Sequence, residues 1–182
     1  MMDHATQLML ERFDPIKTDP SSLIFQPIVT TRNERISIGA RSRIDAFVKL
    51  EGGNGLIIKD NVHIASFCHL NIGGGSLVMM DGSSCGSGTR IITGGNKPEA
   101  VSCSRVAPEE DQILSAVSVI MGFDSCCYAG VTVVAKKDLT IGNGARIAAG
   151  SVLLTSVGDH ELWAGNPAKK IGTYVDGKLV RE

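Results

Sequence analysis

Two histidines, His63 and His69, stand six residues apart, each directly before an aliphatic residue, Ile64 and Leu70. An imidazole titrates near neutral pH, so it can take a proton from an acceptor group during catalysis. His69 stands next to a glycine cluster, Gly73-Gly74-Gly75, and is the stronger candidate base; an ordinary surface or interface role is the alternative for both histidines. Asn96 follows Gly94-Gly95 and cannot act as a base, but its amide can orient an acceptor, polarise a carbonyl or simply shape a turn. Cys126 and Cys127 adjoin: Cys127 falls in an inward slot and Cys126 points outward without an apparent base partner, so neither is assigned nucleophilic chemistry. Glu109, Glu110 and Asp111 form a charge run whose ordinary place is a solvated face. Lys169-Lys170 offers compact cations suited to phosphate. His4 and His160 lie away from the other two histidines, so the three closely placed ligands of a zinc site are not assembled and no metal is expected.

What positions these groups is a six-residue repeat. Ile38, Ile44 and Leu50 are six apart, as are Ile58, Ile64 and Leu70, then Met79, Cys85 and Ile91. This period is neither helical nor strand-like; it is that of a β-helix in which each repeat supplies one short strand and one corner. Gly52-Gly53-Asn54-Gly55 and Gly73-Gly74-Gly75 interrupt the count at equivalent places, which puts both clusters at one corner of the stack. Residues 92 to 116 carry prolines, charges and no repeat, and read as a loop thrown out from a corner. The count then resumes through Val117, Phe123, Ala129, Ala135, Ile141, Ile147 and Leu153, with small residues at Ala145 and Ser151.

Outside the repeat, Ala5, Leu8, Met9 and Phe13 mark one face of a short helix over residues 3 to 13, stopped by Asp14-Pro15. Residues 17 to 22 have linker chemistry, and Leu23 to Val29, broken by Pro27, suits a lead-in segment. Asp176-Gly177 is a two-residue hairpin turn. The expected organisation is a lead-in over 1–35, a repeat domain over 36–172 and a hairpin over 173–182. Twenty-one glycines and 4% aromatic residues suit a stack of tight corners. A net charge of −1 without a basic run removes the electrostatic footprint of nucleic-acid binding. No stretch has the pattern of a signal peptide or the length of a membrane span, and five cysteines without paired spacing fit reduced thiols, so a cytoplasmic protein is expected.

The repeat, the loop after Ile91 and the segment Trp163-Ala164-Gly165-Asn166-Pro167-Ala168-Lys169 together resemble the hexapeptide-repeat acyltransferases. Gly86 to Ala100 resembles the strand and loop entry of galactoside and maltose O-acetyltransferases and of enzymes that modify surface polysaccharides. The resemblance covers about residues 36 to 172. It implies an all-β fold, a left-handed parallel β-helix, with acetyl-CoA as acyl donor in a groove between the subunits of a homotrimer. By position in the repeat, Val131, Ala149, Leu154 and Thr155 match places that contact acetyl-CoA through main-chain groups, and Lys169 matches a basic residue near the nucleotide phosphate.

The same resemblance marks two departures. Relatives commonly carry a catalytic histidine where this chain has Asn96, and an acceptor-binding asparagine where it has Ala65. The donor therefore transfers better than the acceptor, and His69 is the expected replacement base. The reading that follows is an acetyl-CoA-dependent transferase, O-acetylating a sugar or surface-polysaccharide precursor. N-acetylation of an amino sugar is one alternative, since an amine depends less on a strong base; a non-catalytic trimeric scaffold or sugar-binding protein is another. A γ-type carbonic anhydrase shares the β-helix but lacks support here, because its zinc needs three histidines.

Overall fold

The computed structural model describes residues 16–97, 99–104 and 106–181; the helix expected over residues 3 to 13 lies outside them. The chain winds into a parallel β-solenoid with three flat faces, called A, B and C in the order each coil visits them. Face A stacks Lys17–Thr18, Ile36–Ile38, Leu56–Ile58, Ser76–Met79, Ser118–Met121 and Leu139–Ile141. Face B stacks Leu23–Ile24, Arg43–Ile44, His63–Ile64, Ser84–Cys85, Cys126–Cys127 and Arg146–Ile147. Face C stacks Val29–Thr31, Lys49–Glu51, His69–Asn71, Arg90–Ile92, Thr132–Val134 and Val152–Leu153. Six coils are complete among the described residues. A partial seventh begins at the bridge from Ile141 to Val157 and continues in Glu161–Gly165, where Trp163 stacks on Ile147.

In-register parallel pairing explains the repeat. Arg43 pairs with His63 and Lys49 with His69, so equivalent residues recur every coil and side chains alternate between core and surface. Ile44, Ile64, Cys85, Cys127 and Ile147 form one inward ladder, and Leu50, Leu70, Ile91, Val133 and Leu153 another, each residue no more than 1% exposed. Burying one such aliphatic side chain contributes about 1.5–3 kcal/mol. Cys68, Cys85 and Cys127 are part of this core; burial pushes the Cys68 thiol up to about 11 and the other two higher, leaving them inert.

Two expectations from the repeat need correction. Parallel pairing begins at Lys17, which sits opposite Ser37, so residues 17–31 form a complete first coil rather than a lead-in. That coil hid because Thr18 and Thr30 occupy slots that carry isoleucine and leucine in the next coil. After the loop the inward residues are Met121, Cys127 and Val133, whereas Phe123 is 48% exposed and Ala129 is also exposed. Counting by sixes fails between faces C and A, where inward positions such as Val133 and Ile141 lie eight apart.

The glycine clusters do share one corner, between faces C and A. Arg32 Nη1 donates to Gly73 O at 2.9 Å, and Arg35 Nη1 donates to Gly53 O at 2.8 Å, fastening two coils there. The long loop leaves from the same corner. Its neck is closed by Val117 N–H to Thr93 O at 3.0 Å, and its base is an antiparallel hairpin pairing Gly94–Asn96 with Leu114–Ala116. At the corner between faces B and C, successive coils place Phe47, Phe67, Gly88, Gly130 and Gly150 in left-handed backbone (φ 64°, 64°, 75°, 71° and 71°). This conformation costs a residue with a Cβ about 1–2 kcal/mol, so two phenylalanines are unusual occupants.

The C-terminal end is a three-stranded antiparallel cap built from Glu161–Gly165, Ala168–Val175 and Lys178–Arg181. Asp176 and Gly177 both have positive φ, as the two-residue turn between its last strands requires.

Candidate functional site

His69 lies on face C with its side chain 32% exposed, and His63 lies on face B with 46% exposed. The corner carrying Phe47 and Phe67 separates them. Each histidine faces a carboxylate from the preceding coil: His69 Nε2 is 3.0 Å from Glu51 Oε1, and His63 Nε2 is 3.0 Å from Asp45 Oδ2. Each carboxylate also holds a cation, Lys49 Nζ at 2.9 Å from Glu51 and Arg43 Nε at 2.6 Å from Asp45. Burial alone raises the Glu51 pKa, but the hydrogen bonds from Lys49 and His69 outweigh it and hold the carboxyl below its usual range. For Asp45 the Arg43 hydrogen bond dominates and likewise lowers the pKa. Both carboxylates are therefore ionised at neutral pH. Each fixes one ring nitrogen of its histidine and leaves Nδ1 for other work.

The two pairs differ in what surrounds them. On face C the outward column beside His69 runs Asn71, Ile92, Val134. There the solenoid wall meets the excursion between Thr93 and Val117 and forms with it a solvent-open cavity of about 580 Å³. Ile92, Ile113 and Val134 give it an apolar wall; Asn96, Lys97, Glu99 and Lys136 supply polar groups. Asn96 donates through Nδ2 to Cys103 O at 2.9 Å, so it braces the loop as well as lining the cavity. Asn96 lines this cavity; His69, one coil below Ile92 on the same face, does not line it, and no hydrogen bond joins His69 to Asn96 among the described residues.

The residues expected to hold the donor sit on later coils. Ala149, Leu154 and Thr155 are exposed, and among the described residues no main-chain hydrogen bond engages Ala149. Val131 is fully buried, and its main chain is already used: its N–H donates to Tyr128 O and its carbonyl accepts from Arg90 N–H. Lys169 is exposed, opposite Ala164 in the cap. Lys170 instead pairs with Glu161 at 3.1 Å. Cys126 is half-buried on face B between Ser84 and Arg146, and Glu109–Asp111 form an exposed turn within the loop. Ala65 is buried beside the corner.

Glu51, Asp45, Lys49 and Lys136 were not singled out from sequence. The signal was present for the carboxylates: a basic-aliphatic-acidic triplet, Arg43-Ile44-Asp45 or Lys49-Leu50-Glu51, precedes each histidine by the same interval. Among the described residues no group of three His, Cys, Asp or Glu side chains is placed to hold a metal ion. No described helix is long and apolar enough to cross a membrane.

No protein-family model matches the chain, and no curated protein matches it significantly. Solved structures do. A point mutant of AntD, an N-acyltransferase from Bacillus cereus, in complex with dTDP-4-amino-4,6-dideoxyglucose and coenzyme A, aligns over 94% of this chain and 89% of its own, with a TM-score of 0.78 and 22% identity. AntD in complex with dTDP and 3-hydroxybutyryl-CoA aligns over 94% and 88%, at 0.78 and 21%. A hexapeptide transferase family protein from Anaplasma phagocytophilum aligns over 88% and 80%, at 0.60 and 19%. The chain has the hexapeptide-repeat β-solenoid fold found in these acyltransferase structures.

Proposed function

We propose that the protein transfers an acyl group, acetyl in the simplest case, from acyl-CoA to a sugar. The observation that carries this reading is the carboxylate-held His69 on the same solenoid face as the open cavity under the loop. His69 Nδ1 takes the proton of the acceptor hydroxyl as its oxygen attacks the thioester carbon. The C–S bond then breaks, and the thiolate leaves and recovers a proton. Glu51 fixes the imidazole and balances its charge when protonated. Asn96, Lys97 and Lys136 orient the acceptor in the cavity. The donor lies along the later coils, near the main chain of Val131, Ala149, Leu154 and Thr155, with Lys169 opposite a phosphate. A homotrimer, cytoplasmic in location, completes the donor groove between neighbouring copies.

A hydroxyl acceptor fits this geometry because a neutral alcohol needs a base. N-acylation of an amino sugar is the second reading, favoured by the likeness to AntD, whose structures hold an amino sugar nucleotide. The test supplies acetyl-CoA with paired acceptors, amino and hydroxyl forms of the same nucleotide-linked sugar, and follows thiol release and product mass. Turnover of the hydroxyl form supports O-acylation, and turnover of the amine alone replaces it with N-acylation. Thiol release with neither acceptor above the hydrolysis background removes the transferase reading.

A further inference from the structure

Phe47 and Phe67 stack at the corner between faces B and C, with ring centroids 5.3 Å apart and an interplanar angle of 5°. They do so in left-handed backbone, while 57% and 65% exposed. Core packing does not explain them, because Gly88, Gly130 and Gly150 make the same corner in later coils. Below Phe47 the corner of the first coil is Pro27, whose carbonyl accepts from Phe47 N–H, and above it the stack stops at Phe67. The next step of the ladder is Gly88, where a Cβ would meet only the backbone of Gly130, at 4.0 Å.

Successive coils are about 4.8 Å apart, which is the thickness of one more stacked ring. The glycine leaves that thickness empty and lets a planar group approach the main chain closely. Ser87, Ala129 and Ala149, each exposed, keep the edge beside it low. Two residues beyond Gly88, Arg90 stands outward on face C in register with His69. Among the described residues Arg90 has no side-chain hydrogen bond or ion pair. A guanidinium held free next to an open ring face matches a planar group that carries phosphate. A second copy of the chain fits this step less well, because its walls, Ser87, Ala129 and Ala149, are too small to interlock with a side-chain surface and its flank carries Arg90.

We infer that the step above Phe67 is a nucleobase slot: the base stacks on Phe67 over Gly88, and Arg90 takes the attached phosphate. The inference deepens the transferase reading and rests on it for the origin of the nucleotide. A base bearing a diphosphate occurs in both a nucleotide-linked sugar and coenzyme A, and separate titrations with dTDP and coenzyme A tell them apart.

The decisive variant is Gly88→Phe, since two coils already carry phenylalanine at this backbone position. It fills the slot with the protein's own ring. Calorimetric titration should show one nucleotide lost or weakened at least tenfold in Gly88→Phe, and weakened about tenfold in Phe67→Ala. Arg90→Ala should weaken whichever nucleotide the slot takes and leave its phosphate-free nucleoside, thymidine or adenosine, unchanged. Loss of dTDP assigns the slot to the sugar nucleotide, and loss of coenzyme A assigns it to the donor. If Gly88→Phe fails to melt cooperatively, Phe67→Ala decides. Unchanged affinities for both nucleotides in these variants, or no binding of either by the wild type, overturn the inference. So does a Phe67→Ala protein that changes its sedimentation but not its nucleotide affinity, which would make the ladder a subunit contact. Binding is read without turnover, so a failed transferase assay leaves this test intact.

Discussion

Replacing Glu51 by Gln keeps the size of the side chain and removes its charge. Glu51 Oε1 lies 3.0 Å from His69 Nε2, a separation at which opposite unit charges attract by about 1.4 kcal/mol in water and about 5.5 kcal/mol at an effective dielectric of 20. Lys49, 2.9 Å from the same oxygen, cancels much of that field, and both side chains keep some solvent, 32% for His69 and 19% for Glu51. What remains for a protonated His69 is about 1 kcal/mol, or about a fivefold effect on a step that places positive charge there. Removing the imidazole itself removes general-base catalysis, about 10²- to 10⁴-fold. Thiol release at saturating acetyl-CoA should therefore rank wild type, Glu51→Gln about fivefold lower and His69→Ala at least a hundredfold lower, with the loss in kcat rather than KM. His63→Ala is the control, because its Asp45 pair has the same geometry on face B, away from the face C cavity. A His69→Ala enzyme with wild-type kcat, or a His63→Ala enzyme equally impaired, refutes the assignment.

Core register predicts that Met121→Ala, at a site with no exposure, costs about 2–5 kcal/mol, whereas Phe123→Ala, at 48% exposure, changes stability by less than about 1 kcal/mol; urea melts decide, and the reverse order would restore the six-residue count through Phe123. The Glu51 carboxyl, held below its ordinary value of 4.5, contributes stability above that pH and loses it as pH falls through the lower folded value. Unfolding free energy should thus drop more steeply on acidification below about pH 5 for wild type than for Glu51→Gln; parallel curves would count against the pairing. Lys169→Glu should weaken coenzyme A binding through charge reversal near a phosphate, and an unchanged dissociation constant by calorimetry would remove Lys169 from the donor site.

The coils that could be read from sequence are those whose inward slots are aliphatic. Ile38, Ile44 and Leu50 and the two triplets after them announce themselves because the period of six has no other source. The first coil escaped notice because threonines stand at Thr18 and Thr30, polar enough to break a hydrophobic count yet suited to a strand. The phase after the loop was lost for a geometric reason. The coils step six, six and then eight or nine residues between inward positions, and the 23-residue excursion over 94–116 erases which of these steps comes next. His69 was identified as a candidate, but its partner was not. Glu51 becomes a neighbour only through inter-coil register, which no local pattern states.

That register raises a question of choice between two nearly equal sites. Arg43-Ile44-Asp45 with His63, and Lys49-Leu50-Glu51 with His69, are the same device built on two faces of coils two and three. A solenoid produces such copies readily, since any outward triplet followed one coil later by a histidine closes the same diagonal contact. The pair alone therefore cannot mark an active site. What breaks the equivalence is the excursion, which departs from the corner after face C and walls the Ile92–Val134 side into a cavity. The lining of that cavity comes from face C and the loop and includes no face B residue. An acceptor held under the loop lies on the face that carries His69 rather than the one that carries His63. Moving the function to His63 would require a second wall, such as a neighbouring copy packed on face B. Activity that survives His69→Ala but rises with protein concentration in parallel with assembly would identify that arrangement.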